Sequence, residues 1–303
     1  MASSDLISNL DTRTLPLRAI LQHDLWGLCQ SWLVRVWLAA TALLAALVVM
    51  SNWVAVPSAP LIAMVLFPYL VFPWFLVVMM LGVNPTSGSR ADAMADGFLC
   101  RPVTRYDCLL GTWLARVLLV WGVYLAVAVP VAAIVVFAKR PVADDGVTLY
   151  GVIAALIVVA VVLMLQVSLG FLMGTLLRRS LLAVVMLLLL WYPVNIVLHT
   201  FHLEELSPIS LNQSLPTLLR QPWSEESEKP TANREDMEAL AQQAAQFLSV
   251  LSGGAPQPAA KKPAFFEQSS YDDFSLLRVL LGYGIPTALS VALATVCFNR
   301  RDF

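Results

Sequence analysis

Long stretches without any charged residue alternate with short charged ones along the chain. Five stretches contain no Asp, Glu, Lys or Arg: residues 36–89, 117–138, 146–177, 180–203 and 279–299. A helix needs about 20 apolar residues to cross a hydrocarbon layer of about 30 Å. Each stretch is long enough for one crossing, and the first is long enough for two.

The first stretch divides at the sequence VPSAP, residues 56–60. Proline lacks a backbone donor and disfavours helix in the residue before it, so this sequence predicts a turn. The pattern therefore predicts an all-α membrane protein with six transmembrane helices. The predicted spans are residues 33–55, 60–83, 109–137, 150–177, 180–200 and 275–298.

Composition supports this class of protein. Only 13% of the 303 residues are charged and 59% are hydrophobic, whereas soluble domains are about one quarter charged. A chain of this composition is solvated by lipid rather than by water, which excludes an ordinary soluble domain.

The distribution of arginine predicts the orientation. Cytoplasmic connections between spans carry an excess of Lys and Arg. With both termini inside, the short outer connections hold only Lys139 and Arg140. The inner segments then hold Arg13, Arg18, Arg90, Arg101, Arg105, Arg116, Arg178, Arg179, Arg300 and Arg301. We therefore expect an N-in, C-in topology.

The cysteines fit the same orientation. All four fall at or near the predicted inner face: Cys29, Cys100, Cys108 and Cys297. Their scattered spacing does not suggest a zinc or redox site, and the cytosol keeps thiols reduced. We expect free thiols.

The N-terminal segment, residues 1–31, carries apolar residues at helical spacing before the first span. They are Leu17, Ile20, Leu21, Leu25 and Leu28. Arg18, Gln22 and Asp24 are assigned to other faces. This pattern predicts an amphipathic helix lying at the inner membrane interface. A plain cytosolic extension of the first span is the alternative.

Residues 201–274 form the longest polar segment, which we expect to be an extracytoplasmic domain between the fifth and sixth spans. We expect two short helices in it. The clearer one covers about 233–251, with Asn233 as a possible N-cap and Gly253 and Gly254 after its end. Its apolar face needs a partner.

Two short motifs in the outer region suggest chemistry only weakly. LSGG, residues 251–254, is like part of a nucleotide-binding signature, but Ala255 follows it and the chain has no phosphate-binding G-x-x-x-x-G-K-[ST] loop. Helix termination explains it better, and the chain is predicted not to be an enzyme. His199 and His202 have the i, i+3 spacing of metal ligands, although polar residues at the end of a span are the commoner case.

The densest charge within the apolar region is in FLCRPVTRYDCLLGTWLARVL, residues 98–118. It belongs to the predicted cytoplasmic loop, residues 84–108, and to the start of the third span. Pro102 ends a first helix, and Thr104 is a suitable N-cap for a second helix that runs into the span, with Asp107 in its first turn. The alternative is that these arginines only set the topology and bind lipid phosphates.

Two stretches resemble one family. GFLCRPVTRYDCLLGTWLARVL, residues 97–118, resembles the first cytoplasmic loop of ABC-2 type permeases, and ATVCFNRRDF, residues 294–303, resembles the end of these chains. The resemblance implies the permease subunit of an ABC transporter, an exporter of the bacterial inner membrane. It implies that residues 91–100 form a coupling helix that inserts into a cleft of a separate ATPase subunit. The implied ATPase-coupling residues are Asp92, Asp96, Phe98, Leu99, Arg101 and Arg105.

The resemblance also implies the partners. They are a soluble ABC ATPase subunit that binds the ATP, a second copy of the permease in a homodimer, and membrane lipid; the outer domain could add an extracytoplasmic protein. No nucleic acid, and no cofactor on this chain itself, is expected.

The alternative function is a non-transporting membrane scaffold whose outer domain, residues 201–274, recruits an extracytoplasmic partner for assembly or metal delivery. Residues 32–200 hold the first five spans, and residues 275–303 hold the sixth span and the cytoplasmic C-terminus.

Overall fold

The computed structural model of the chain describes residues 2–70, 74–84, 105–138, 140–141, 146–177, 179–200, 207–220 and 276–300. Helices account for nearly all of them, and these residues contain no strand. The helices of the described residues are α1 (Ala2–Gln30), α2 (Trp32–Asn52), α3 (Ser58–Leu70), α4 (Trp74–Val83), α5 (Arg105–Phe137), α6 (Leu149–Leu176), α7 (Ser180–Thr200), α8 (Pro208–Leu218) and α9 (Leu276–Asn299).

Five stretches in this part of the chain are long and apolar enough to cross a membrane, and one of them consists of α3 and α4 with the undescribed residues 71–73 between them. They are Trp32–Asn52, Ser58–Val83, Tyr106–Phe137, Leu149–Leu176 and Leu276–Phe298. They coincide with the first four predicted spans and the sixth to within a few residues. The fifth predicted span is α7, whose apolar part runs over Ser180–Trp191. The prediction of an all-α membrane architecture is confirmed, while six crossings and their orientation stay predictions.

Helix α6 is the centre of the bundle. It packs against α3, α4, α5, α7, α8 and α9, and buried residues occur along its whole length, from Gly151 to Thr175. A helix that is apolar on all sides is typically a buried one. The position of α6 therefore follows from its sequence, which carries no charge between residues 149 and 176.

Two glycines set the closest approach between α4 and α6. A Cβ atom added to Gly82 would lie 2.5 Å from the carbonyl oxygen of Val167, and one added to Gly170 would lie 2.7 Å from that of Met79. Small residues at such crossings let the backbones of membrane helices pack tightly. Any side chain at either position would separate the two helices.

Helices α5 and α6 run antiparallel and are joined by hydrogen bonds from three aromatic side chains of α5. The bonds are Trp113 Nε1 to Ser168 Oγ (3.0 Å), Trp121 Nε1 to the Ala160 carbonyl (2.8 Å) and Tyr124 Oη to the Leu156 carbonyl (3.5 Å). As the donor moves along α5, the acceptor moves back along α6. These bonds fix the register of the two helices.

The helix ends gather at two opposite ends of the bundle. At one end, which we call the Arg140 end, the turn after α2 meets the residues after α5 and the start of α6. At the other, which we call the Asp24 end, α1 lies against the first turns of α5, near the last turns of α6 and α9. In the predicted orientation the Asp24 end is cytoplasmic.

The first part of the predicted extracytoplasmic domain contains helix α8. It packs at the Arg140 end against α3 and α6. Its apolar residues Leu211, Leu215 and Leu218 are buried, and their spacing of four and three places them on one face. The backbone N–H of Thr148 donates to the carbonyl of Leu219 at 3.0 Å. The predicted helix at 233–251 and the LSGG motif lie outside the described residues.

Candidate functional site

The predicted coupling residues themselves fall mostly where the structure gives no description. Asp92, Asp96, Phe98, Leu99 and Arg101 lie outside the described residues. Arg105 is the first residue of α5, and its side chain is not among those described. The structure does describe the start of α5, which follows this segment, and the helices that pack against it.

Helix α5 begins where the sequence predicts a helix to begin. It runs from Arg105 to Phe137 without interruption and carries Asp107 in its first turn. Its 33 residues make it about 50 Å long at 1.5 Å per residue, which is about 20 Å more than the hydrocarbon layer. Since residues 117–138 are the charge-free part, the surplus length is mainly the segment from Arg105 to Arg116.

Helix α1 packs alongside this surplus segment. A Cβ atom added to Gly111 would lie 3.1 Å from Cγ2 of Ile20 and 3.5 Å from the carbonyl oxygen of Leu17. The predicted apolar face of α1 is confirmed, because its five apolar residues are half-buried while Arg18 and Gln22 are exposed. Glycine at position 111 therefore brings α1 close to α5.

A break separates α1 from the first span. Ser31 has an extended backbone (φ −63°, ψ 136°) and caps α2, since its Oγ accepts from the N–H of Val34 at 3.4 Å and donates to the carbonyl of Leu28 at 2.7 Å. Helix α1 is therefore a separate helix rather than an extension of the first span. The sequence analysis did not single out Ser31.

The assignment of Asp24 to a polar face of α1 is wrong. Its Oδ2 lies 3.6 Å from Nη1 of Arg116 on α5, and the side chain is 25% exposed. Arg116 is 5% exposed, and its Nη1 also donates to the carbonyl of Thr112 at 2.6 Å. A largely buried ion pair thus links α1 to α5. The signal was in the sequence, because Asp24 comes four residues after Ile20 and four before Leu28 and so shares their face.

The two stretches that carry the family resemblance meet at the Asp24 end. Leu109 of α5, Phe171 of α6, and Ala294 and Phe298 of α9 form one buried cluster. Residues 97–118 and 294–303 are far apart in the chain, yet they contribute side chains to the same contact. The start of α5 is therefore held on one side by α1 and on the other by the ends of α6 and α9.

No group of three or more His, Cys, Asp and Glu among the described residues is placed to hold a metal ion. His202 and the side chain of His199 lie outside the described part, so the metal hypothesis for them stays untested. Cys29, Cys108 and Cys297 are unpaired thiols at the Asp24 end or near it, and Cys100 is outside the described residues.

Comparison with known proteins identifies the family. No curated protein matches the chain. The family model described as "ABC-2 family transporter protein" matches residues 98–303, about two thirds of the chain, and its match begins within the charged stretch at 98–118. The chain therefore belongs to the ABC-2 family of transporter proteins.

Proposed function

We propose that this chain is the membrane subunit of an ABC exporter and that a separate ATPase subunit grips residues 91–105 from the cytoplasm. Membership of the ABC-2 family supports a permease role in a multi-pass membrane protein. In the proposed complex the ATPase binds ATP, and two copies of the permease enclose the path. Outward direction and the second copy rest on the family resemblance alone.

The observation that carries the proposal is the continuity of α5. It begins at Arg105, directly after the proposed coupling segment, and continues without a break to Phe137. A displacement of residues 91–104 would therefore act on the end of a helix of membrane length. The helix has no break between Arg105 and Phe137, and its proline, Pro130, is near the far end.

The packing of α1 supports the same function. The Asp24–Arg116 pair and the close contact at Gly111 join α1 to the surplus length of α5. Removing one partner of a buried ion pair typically costs about 3–5 kcal/mol, so this joint resists separation. In the proposed mechanism α1 and the start of α5 move as one unit, and Ser31 lets that unit turn relative to α2.

Co-purification tests the proposal. The full chain is expressed with candidate P-loop ATPases from the same cell, and the membrane complex is isolated in nanodiscs. Arg101→Glu and Arg105→Glu, singly and together, are expected to release the ATPase, because reversed charge at the rim of a docking site disfavours association. Arg220→Glu is the matched control, since Arg220 is exposed at the opposite end of the bundle.

The outcomes are distinct. Loss of the ATPase in the double variant, with retention in Arg220→Glu and unchanged elution of the permease, supports the proposal. ATPase that stays bound to the double variant contradicts it. Labelling of the exposed thiol of Cys29 in intact cells by an impermeant reagent would contradict the orientation.

A further inference from the structure

The membrane-embedded part of the chain contains a small cavity between α2, α3 and α4. Its lining includes Thr41 of α2, Met64, Pro68 and Tyr69 of α3, and Trp74 of α4. The remaining lining is apolar: Leu44, Ala45, Val48 and Val65. The open space is about 10 Å³, which is the lower end of what one water molecule needs.

Two donors at this cavity have no protein partner. The hydroxyl of Tyr69 and the indole Nε1 of Trp74 are both buried, and neither makes a hydrogen bond to any residue. Tyr69 as a whole is 2% exposed. Buried polar groups are nearly always hydrogen-bonded, and an exception calls for an explanation such as an ordered water.

Acceptors are available on the same cavity. Thr41 donates its hydroxyl hydrogen to the carbonyl of Trp37 at 2.6 Å, so the lone pairs of its oxygen remain. The hydroxyls of Thr41 and Tyr69 are near each other but do not meet hydrogen-bond geometry.

Proline adds a further acceptor. Pro68 is inside α3 and has no N–H to donate to the carbonyl of Met64, four residues earlier. Freed carbonyls in membrane helices are commonly satisfied by side chains or ordered water. Met64 and Pro68 both line the cavity, which also combines two unpartnered donors with the hydroxyl oxygen of Thr41.

We propose that this cavity binds one water molecule, which accepts from Trp74 Nε1 and is shared by the hydroxyls of Thr41 and Tyr69. Three partners match the usual coordination of a buried water. The water connects α2 to α3 and α4, on either side of residues 71–73. The site is independent of ATPase coupling, because none of its residues belongs to the Asp24 end.

Radiolytic hydroxyl-radical labelling of the full chain in nanodiscs tests this directly, because a short X-ray pulse generates radicals from a water held in place. Tyr124 is the matched control: its ring lies 5.1 Å from that of Tyr69, it is fully buried, and its hydroxyl donates to a protein carbonyl at 3.5 Å. Tyr69 is expected to be modified several-fold faster than Tyr124. The isosteric variant Thr41→Val should lower the modification of Tyr69 and Trp74, whereas Thr41→Ser should not.

Equal modification of Tyr69 and Tyr124 in the unmodified protein would overturn the proposal. Fast modification of Tyr69 that persists in Thr41→Val would also overturn it, because it would report access from bulk water rather than a held molecule. Unchanged modification of Tyr124 across the variants shows that each one is folded. A drop at Tyr69 and Trp74 in Thr41→Val alone supports the site.

Discussion

Each end of the bundle has a buried or half-buried arginine that joins separate segments, but the two arginines are bound in different ways. Arg116, at the Asp24 end, pairs with the carboxylate of a separate helix and one main-chain carbonyl. Arg140, at the opposite end, binds main-chain oxygens of the turn after α2. Its Nη2 donates to the carbonyls of Trp53 and Val56, each at 2.6 Å, and its Nε donates to Trp53 at 3.1 Å.

We call the Asp24–Arg116 contact the joint and the contacts of Arg140 the clamp. The Asp24–Arg116 contact joins side chains of two helices, so α1 and the start of α5 can move together as one unit. The Arg140 contacts are to carbonyls that the break at Pro57 leaves without helical donors, and Nη1 also donates to Ser58 at 3.3 Å. We therefore expect movement during transport at the Asp24 end and a fixed frame at the Arg140 end.

Arg116→Leu is expected to have the largest effect on stability. It leaves the Asp24 carboxylate without its cation in a mostly buried place, at a cost of about 3 kcal/mol, the low end because Asp24 is partly exposed. The thermal unfolding midpoint in nanodiscs measures it. The double variant Asp24→Leu, Arg116→Leu should recover much of the loss, since it removes both charges. A double variant no more stable than the single one would show that the pair does not join the helices.

Arg140→Ala is expected to lower the free energy of unfolding by about 2 kcal/mol, because the carbonyl acceptors lose a charged donor. The loss is limited because water can replace some of these hydrogen bonds at this half-buried position. Arg140→Lys should recover only part of the loss, since an ammonium cannot bond several carbonyls in the fixed geometry of a guanidinium.

In the assembled transporter, Arg116→Leu should lower ATPase-driven transport more than Arg140→Ala at equal protein level. The reverse order would contradict the assignment of joint and clamp.

Replacing one glycine at each end by alanine compares the two ends directly. Gly151 is at the Arg140 end and Gly111 is at the Asp24 end. A Cβ atom at Gly151 would lie 2.4 Å from the carbonyl oxygen of Leu219, which is backbone, whereas one at Gly111 would meet the flexible side chain of Ile20 at 3.1 Å. Gly151→Ala should therefore cost about 1–2 kcal/mol, and Gly111→Ala less than about 1 kcal/mol. Unfolding midpoints of the two variants, measured side by side, test this. Equal losses would mean that both ends are equally rigid.

The spans could be predicted from the sequence because each rests on a local property, the absence of charge over about 20 residues. The start of α5 near Arg105 could also be predicted from local sequence, because Pro102 and Thr104 are typical of a helix boundary. Family membership followed from the motif at 97–118, and the match over residues 98–303 confirms it.

Pairings between distant segments could not be predicted in this way. Helical spacing shows that α1 has an apolar face but not which helix covers it, so the partnership of Asp24 with Arg116 was missed. Arg140 was counted only as a charge outside the membrane, although it binds residues more than 80 positions earlier. Helix α8 shows a missed local signal, because Leu211, Leu215 and Leu218 already had helical spacing. The coupling roles of the residues from Asp92 to Arg105 remain predictions from sequence.

Trp53→Leu is expected to have the smallest effect and to show how much of the clamp is due to the ring. The guanidinium carbon of Arg140 lies 5.0 Å from the centre of the Trp53 ring, a cation–π contact that contributes about 0.5–1 kcal/mol at exposed sites. Leucine removes the ring but keeps the main-chain carbonyl that accepts from Arg140, so the hydrogen bonds should survive. The unfolding midpoint should therefore fall only slightly, and the fall should nearly vanish when Trp53→Leu is introduced into Arg140→Ala, because neighbouring groups that interact do not add. If the loss is equal in both backgrounds, the ring serves only as a membrane-interface anchor, and the clamp depends on the carbonyl contacts alone.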